Sequence, residues 1–189
     1  MRTILFIILF ISSLSSSIYC QEYTLSTDKS KLNWTGKAAF SSYTLSGTIN
    51  AKSGFLKHNN EGISETKVVI NTKTIDSSIG QLKKHLRSKD FFDVNKYPVA
   101  EFLLDELTPT KEGHYLAKGW MTIKEKKEAF ECELNIQSEG NEKVARGKAI
   151  IDRTKYGITF NSPTFFESMK DQAIADDFEV EFELWFIRE

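Results

Sequence analysis

Residues 178–186, FEVEFELWF, place Phe178, Val180, Phe182, Leu184 and Phe186 on one side of an extended chain and Glu179, Glu181 and Glu183 on the other. Successive side chains of a strand point to opposite faces, so this period of two predicts a strand with one buried and one wet face. Residues 130–137, FECELNIQ, repeat the pattern, with Phe130, Cys132, Leu134 and Ile136 inward. Further strands are predicted at Lys31–Phe40, Tyr43–Asn50, Ile63–Thr72, Val99–Leu107, Tyr115–Ile123 and Lys143–Ile151. Hairpin punctuation separates them at Asn59-Asn60-Glu61-Gly62, at Pro109 to Gly113 and at Glu139-Gly140-Asn141. Strands joined in sequence by hairpins form an antiparallel sheet, and closing it into a barrel removes the edges that invite aggregation.

Two helices are predicted between strands. Asp76 is placed to cap the first, which carries Ile79, Leu82 and Leu86 on one face and Lys83, Lys84 and Arg87 elsewhere. The second, around Phe165 to Asp171, follows Pro163, a residue suited to a first helical turn. The predicted fold is all-β and mainly antiparallel, a barrel of about eight strands with one or two short helices capping or lining it.

The chain opens with Met1-Arg2, an apolar run from Ile4 to Ile11 and a Ser-rich stretch before Cys20, the layout of a secretory leader. That run is shorter than the roughly 20 apolar residues that span a bilayer. Residues 1–20 are therefore expected to be a signal peptide and 21–189 one domain, periplasmic or secreted. A lipoprotein leader with Cys20 acylated is the rival reading, but Tyr19 stands where a small residue is wanted. Removing Arg2 leaves 24 basic against 26 acidic residues, with the signs interleaved, a balance that argues against nucleic acid. Cys132 would be the sole remaining cysteine, so the core and not a disulfide holds the fold.

Catalytic chemistry finds little foothold. His58, His85 and His114 share no ligand spacing, so no metal is expected. Phosphate loops and nucleophile elbows are absent from the sequence, and no cofactor is predicted. Asp152, Asp176 and Asp177 are the candidates for acid–base work if they converge in a cavity, and strand-end turn acceptors if they do not. Lys83, Lys84, His85, Arg87 and Lys89 form a basic group that either holds an anionic head group or faces solvent. The sequon Asn33-Trp34-Thr35 lies inside a strand and is read as coincidental.

Aromatic content points further. The 14 Phe and 3 Trp exceed what a small filled barrel readily takes, which suggests a cavity, although a dry aromatic core would use the same residues. His85 to Phe102, HLRSKDFFDVNKYPVAEF, concentrates Phe91, Phe92 and Tyr97 in one connection. Pro98 keeps Tyr97 extended, which confines Phe91 and Phe92 to a compact turn after the helix, the position of a plug or lid.

This segment resembles the signature of the YceI-like family, exported proteins with an elongated lipocalin-like barrel. KLNWTGK, LSGTINAKSG, INTKTIDSSIGQLKKHLRS, KGWMTIKEKK, DRTKYGITF and the C-terminal FFESMKDQAIADDFEVEFELWF follow in the family's order. One departure is Glu125-Lys126-Lys127, where the family commonly has a small-residue turn. The resemblance implies an apolar tunnel for a long-chain amphiphile, a polyisoprenoid such as an isoprenoid quinone, or a fatty-acid derivative, and it brings no catalytic residues.

On this reading the lining is expected from Trp34, Phe40, Phe91, Phe92 and Phe102, and from Trp120, Phe130, Leu134, Phe178 and Phe182. Lys84, His85 and Arg87 are the expected head-group contacts. The partner is an amphiphilic lipid; transient contact with a membrane surface and a homodimer are both compatible with that role. A hydrolase or isomerase acting on a lipid, and a ligand-free envelope stress or interaction protein, are the competing functions.

Overall fold

A computed structural model describes residues 20–165 and 173–188. Residues 1–19 of the expected leader, and all of the predicted second helix except Phe165, lie outside the described residues. Among the described residues, nine strands run in chain order as β1 (Gln21–Leu25), β2 (Lys31–Ala38), β3 (Thr44–Asn59), β4 (Gly62–Asp76), β5 (Val99–Lys111), β6 (His114–Ile123), β7 (Lys126–Glu139), β8 (Glu142–Asp152) and β9 (Ile174–Arg188), with one α-helix, α1 (Gly80–Arg87), between β4 and β5. Every pairing is antiparallel.

The hydrogen-bonded order β3-β2-β9-β8-β7-β6-β5-β4 closes on itself through β3 and β4, giving an eight-position barrel. The ninth strand adds no position. β1 pairs with the end of β3, at Gln21↔His58, and with the end of β9, at Tyr23↔Arg188, while β2 pairs with the opposite ends of the same two strands. β1 and β2 thus share one slot end to end. The chain jogs at residues 26–30, where Ser26 N donates to Trp185 O.

The hairpins at 60–61, 112–113 and 140–141 lie at one end of the barrel. Gly62, Gly113 and Gly140 supply positive φ there. At the opposite end α1 and the 88–98 connection cover the opening. β7 and β8 pair only between Leu134↔Gly147 and Glu139↔Glu142, and they part toward this covered end. A short 3-10 turn, Arg153–Tyr156, packs against β7 where they separate, with Tyr156 and Ile158 fully buried.

Three expectations are corrected. Asp76 does not cap α1: it closes β4, accepting from Ser77 N at 2.8 Å and pairing with Lys83, and Ile79 holds the cap position without a side-chain bond. The hairpin assigned to Pro109–Gly113 turns later, because β5 continues through Pro109 and Thr110 to Lys111. β3 and β4 run well past Asn50 and Thr72, and the irregularities at Thr48/Asn50 and Ala51/Ser53 hide their period from a simple alternation count.

Candidate ligand-binding site

The barrel interior holds two apolar chambers. The larger, about 270 Å³, lies under α1 and is walled by Trp34, Leu45, Ile75, Leu86, Phe92 and Phe178 among others. The smaller, about 110 Å³, lies toward the hairpin end between Leu56, Val68, Phe102, Phe130, Phe182 and Phe186, and it exposes only apolar atoms. Ile70, Met121, Ile151 and Val180 belong to both walls and form a waist between them. Well-packed interiors leave few voids larger than a water molecule, so this is not a filled barrel.

The roof is built from the 88–98 connection. Phe92 N donates to Leu86 O, Asp93 N to Ser88 O, and Lys96 N and Tyr97 N to Asp93 O, winding the segment into consecutive turns with Asp93 at φ 46°. Thr72 ties its far end down, donating from Oγ1 to Tyr97 O at 2.6 Å and from its backbone N–H to Pro98 O at 3.1 Å. Phe91 and Phe92 are thereby pressed onto the larger chamber. Phe92 meets Phe178 edge to face at 6.0 Å, and Phe91 packs on Phe160 and His85.

Trp34 shows how closely the wall is fitted. Its indole Nε1 donates to Asp76 O at 3.1 Å, and its ring crosses Gly47, where an added Cβ would come within 2.7 Å of the indole and 1.9 Å of Asp76 O. Only glycine permits that approach.

Polar groups on the larger chamber are few. Arg153 is 2% exposed and spends its guanidinium on Ile158 O, Ala175 O and Ile174 O, with Asp176 at 3.7 Å. Burial pulls its pKa below the usual arginine value, and the Asp176 and Asp152 carboxylates oppose that pull. It is a strut for the chain around β9, with each of its three nitrogens engaged. His85 differs, because its Nε2 is buried without a hydrogen-bond partner among the described residues while the ring lines the chamber. In the smaller chamber, burial pushes the Cys132 thiol up to about 11, as expected for an inert inward cysteine.

The structure places Trp34, Phe91, Phe92, Phe178 and His85 on the larger chamber, and Phe102, Phe130, Leu134 and Phe182 on the smaller. Phe40 and Trp120 are corrected. Phe40 is 68% exposed because β2 stops at Ala38 and the chain turns before Phe40 reaches the wall. Trp120 points outward, 38% exposed beneath Lys127 Nζ at 4.8 Å, since β6 turns Ala117, Met121 and Ile123 inward. That is a one-residue register difference. Of the basic trio, only His85 reaches the cavity. Lys84 faces solvent, and Arg87 Nε is committed to Ile75 O at 2.9 Å.

The three carboxylates do not converge. Asp152 accepts from Thr154 N and Oγ1, Asp176 from Thr164 Oγ1, and Asp177 alone touches the lip of the larger chamber. The alternation Ala117, Gly119, Met121, Ile123 could have revealed the waist residue Met121, whereas nothing local marks Ile70 or Val180 as a constriction.

A lipocalin-like barrel closed over a divided apolar interior, with the FF turn as its roof, matches the YceI-like domain over residues 23–186. The chain belongs to this family. A UPF0312 protein of Yersinia enterocolitica is 34% identical over 83 residues, a match that covers 44% of this chain and 43% of that protein, less than half of its length. Among solved structures, Burkholderia cenocepacia BcnA superposes with TM-score 0.70 at 20% identity, covering 85% of this chain and 98% of that one. A polyisoprenoid binding domain from Saccharophagus degradans, implicated in plant cell wall breakdown, superposes with TM-score 0.65 at 14% identity, covering 88% and 98%. At these identities the likeness is one of fold.

Proposed function

We propose that this YceI-like barrel binds a long-chain amphiphile, a polyisoprenoid or isoprenoid quinone, and holds it for storage, transport or sequestration in the cell envelope. The carrying observation is the pair of apolar chambers joined at an apolar waist. Together, about 270 and 110 Å³ reach the range of roughly 300–1,000 Å³ typical of small-molecule sites. Each methylene withdrawn from water contributes about 0.8 kcal/mol, so a chain threading both chambers is held without strong polar contacts. His85 Nε2 is the polar partner for the ligand's head, and a site with so few free charges suits a carbonyl or hydroxyl better than a diphosphate. The solved polyisoprenoid binding domain of the same fold supports the ligand class. No catalytic step is part of this reading, which needs only apolar burial and one polar contact.

Export by a leader ending at Cys20, with the mature barrel in the periplasm or outside the cell, belongs to the same proposal. Native mass spectrometry of protein purified from its own cells, followed by lipid extraction, tests both parts. A co-purifying isoprenoid and a mass beginning at Gln21 are expected. Absence of any lipid, with no uptake of a quinone or polyprenol probe, would sink the binding reading.

A further inference from the structure

Large apolar side chains are concentrated on the rim of the larger chamber. Phe40, Tyr43, Ile79 and Phe165 are 68, 60, 43 and 55% exposed. The backbone brings their loops together. Ala39 N donates to Ala173 O at 2.8 Å, laying the β2–β3 turn against the start of β9. Thr164 Oγ1 donates to Asp176, laying the loop of Phe165 on the same strand, and Ser77 Oγ reaches Ser46 O from the loop of Ile79. Tyr43 itself lines the chamber, so the exposed patch runs into the cavity wall.

Nothing in the folding of a water-exposed turn requires Phe40, and exposed apolar patches of this kind mark interaction sites. Two lysines among the described residues accompany it. Lys37 and Lys84 are exposed and neither is ion-paired among the described residues, while Asp76 is engaged by Lys83 and Asp177 is the carboxylate at the lip. Apolar tips flanked by lysines are the composition of proteins that lie on anionic lipid.

We propose that this rim docks on the surface of an anionic bilayer. Phe40, Ile79 and Phe165 enter the boundary between head groups and acyl chains, and Lys37 and Lys84 meet the lipid phosphates, so that the larger chamber opens onto the lipid phase. A protein seated on these three loops would occlude the chamber, whereas a bilayer continues its apolar surface. The purpose of the docking rests on the amphiphile-binding reading, but its occurrence does not.

Flotation of protein purified from its own cells with vesicles of phosphatidylcholine, with and without phosphatidylglycerol, tests it. Binding to the anionic vesicles that weakens with salt is expected. The combined Phe40→Ser, Ile79→Ser and Phe165→Ser variant should partition at least about tenfold less, since one fully inserted side chain is worth on the order of a decade. Ile150→Ser, at a wall position 62% exposed, should partition as the parent does. The triple variant should still take up a quinone probe dispersed in buffer and lose only extraction from vesicles, which separates docking from ligand binding. Parent protein that ignores anionic vesicles, a triple variant that binds as the parent, or a dimer that this variant abolishes would overturn the proposal.

Discussion

Lys124 Nζ donates to the carbonyl of Phe91 at 2.7 Å, joining the β6–β7 hairpin to the roof. Lys124 and Glu125 both have positive φ, 50° and 64°, in a two-residue turn that would favour Asn-Gly. The conformation costs about 1 kcal/mol per non-glycine residue. Glu125→Gly should therefore raise unfolding stability by roughly 0.5–1 kcal/mol in denaturant titrations. Lys124→Met should leave the barrel folded and accelerate amide exchange at residues 91–94, and unchanged exchange there would refute the clamp.

Met121 sits at the waist, 5% exposed, with a flexible side chain that can move aside. Met121→Trp should weaken binding of a polyprenol long enough to enter both chambers by tenfold or more, on the order of two buried methylenes. A short-chain analogue confined to the larger chamber should bind as before. Equal losses for both probes would show that the chambers are not used in series.

Gly47→Ala drives a methyl into Trp34 and Asp76 O. Overpacking of this kind costs about 1–3 kcal/mol. The melting temperature should fall and the Trp34 emission should shift to the red as the ring leaves its slot. A variant as stable as the parent would mean that the β3–β4 ladder can slide.

Alkali should unfold the protein from inside. Burial holds Cys132 up at about 11, and burial with the nearby Glu128 and Asp152 carboxylates holds Tyr156 up at about 12. Both folded values lie above the ordinary values of 9.0 and 10.0, so the native state binds more protons than the unfolded chain in this range. The stabilisation is complete below about pH 9 and is lost as pH rises through 11 and 12. Cys132→Ala should shift the onset of alkaline unfolding upward. At pH 8, about one thiol in a thousand is ionised at such a pKa, so alkylation of the folded protein should be slow.

Much of the barrel was legible because its inward faces keep time over several residues. β7 and β9 alternate without a break, and every inward residue predicted from them lies on a chamber wall. Legibility failed where that rhythm is interrupted. β1 is five residues long beside an apolar leader, Trp120 stands one step out of phase with the small residues around it, and Phe40 follows a strand that stops two residues earlier. The roof was visible as aromatic density between a helix and Pro98, but its attachment to Thr72 and Lys124 involves side chains distant in sequence. The choice of His85 over Lys84 and Arg87 required the rotation of α1, and α1 is too short to set that from its own pattern.

The slot shared by β1 and β2 bears on how the protein is made. Its partners β3 and β9 come from near the two ends of the chain, and pairs such as Lys31↔Glu183 must wait for the last strand. Local hairpins form in microseconds, whereas contacts of such high sequence separation slow folding toward milliseconds to seconds. The seam is then the final one to zip. Until it does, the apolar interior is an open curved sheet, so the step that completes folding is also the step that first creates an enclosed interior, and a newly made barrel acquires both chambers all at once.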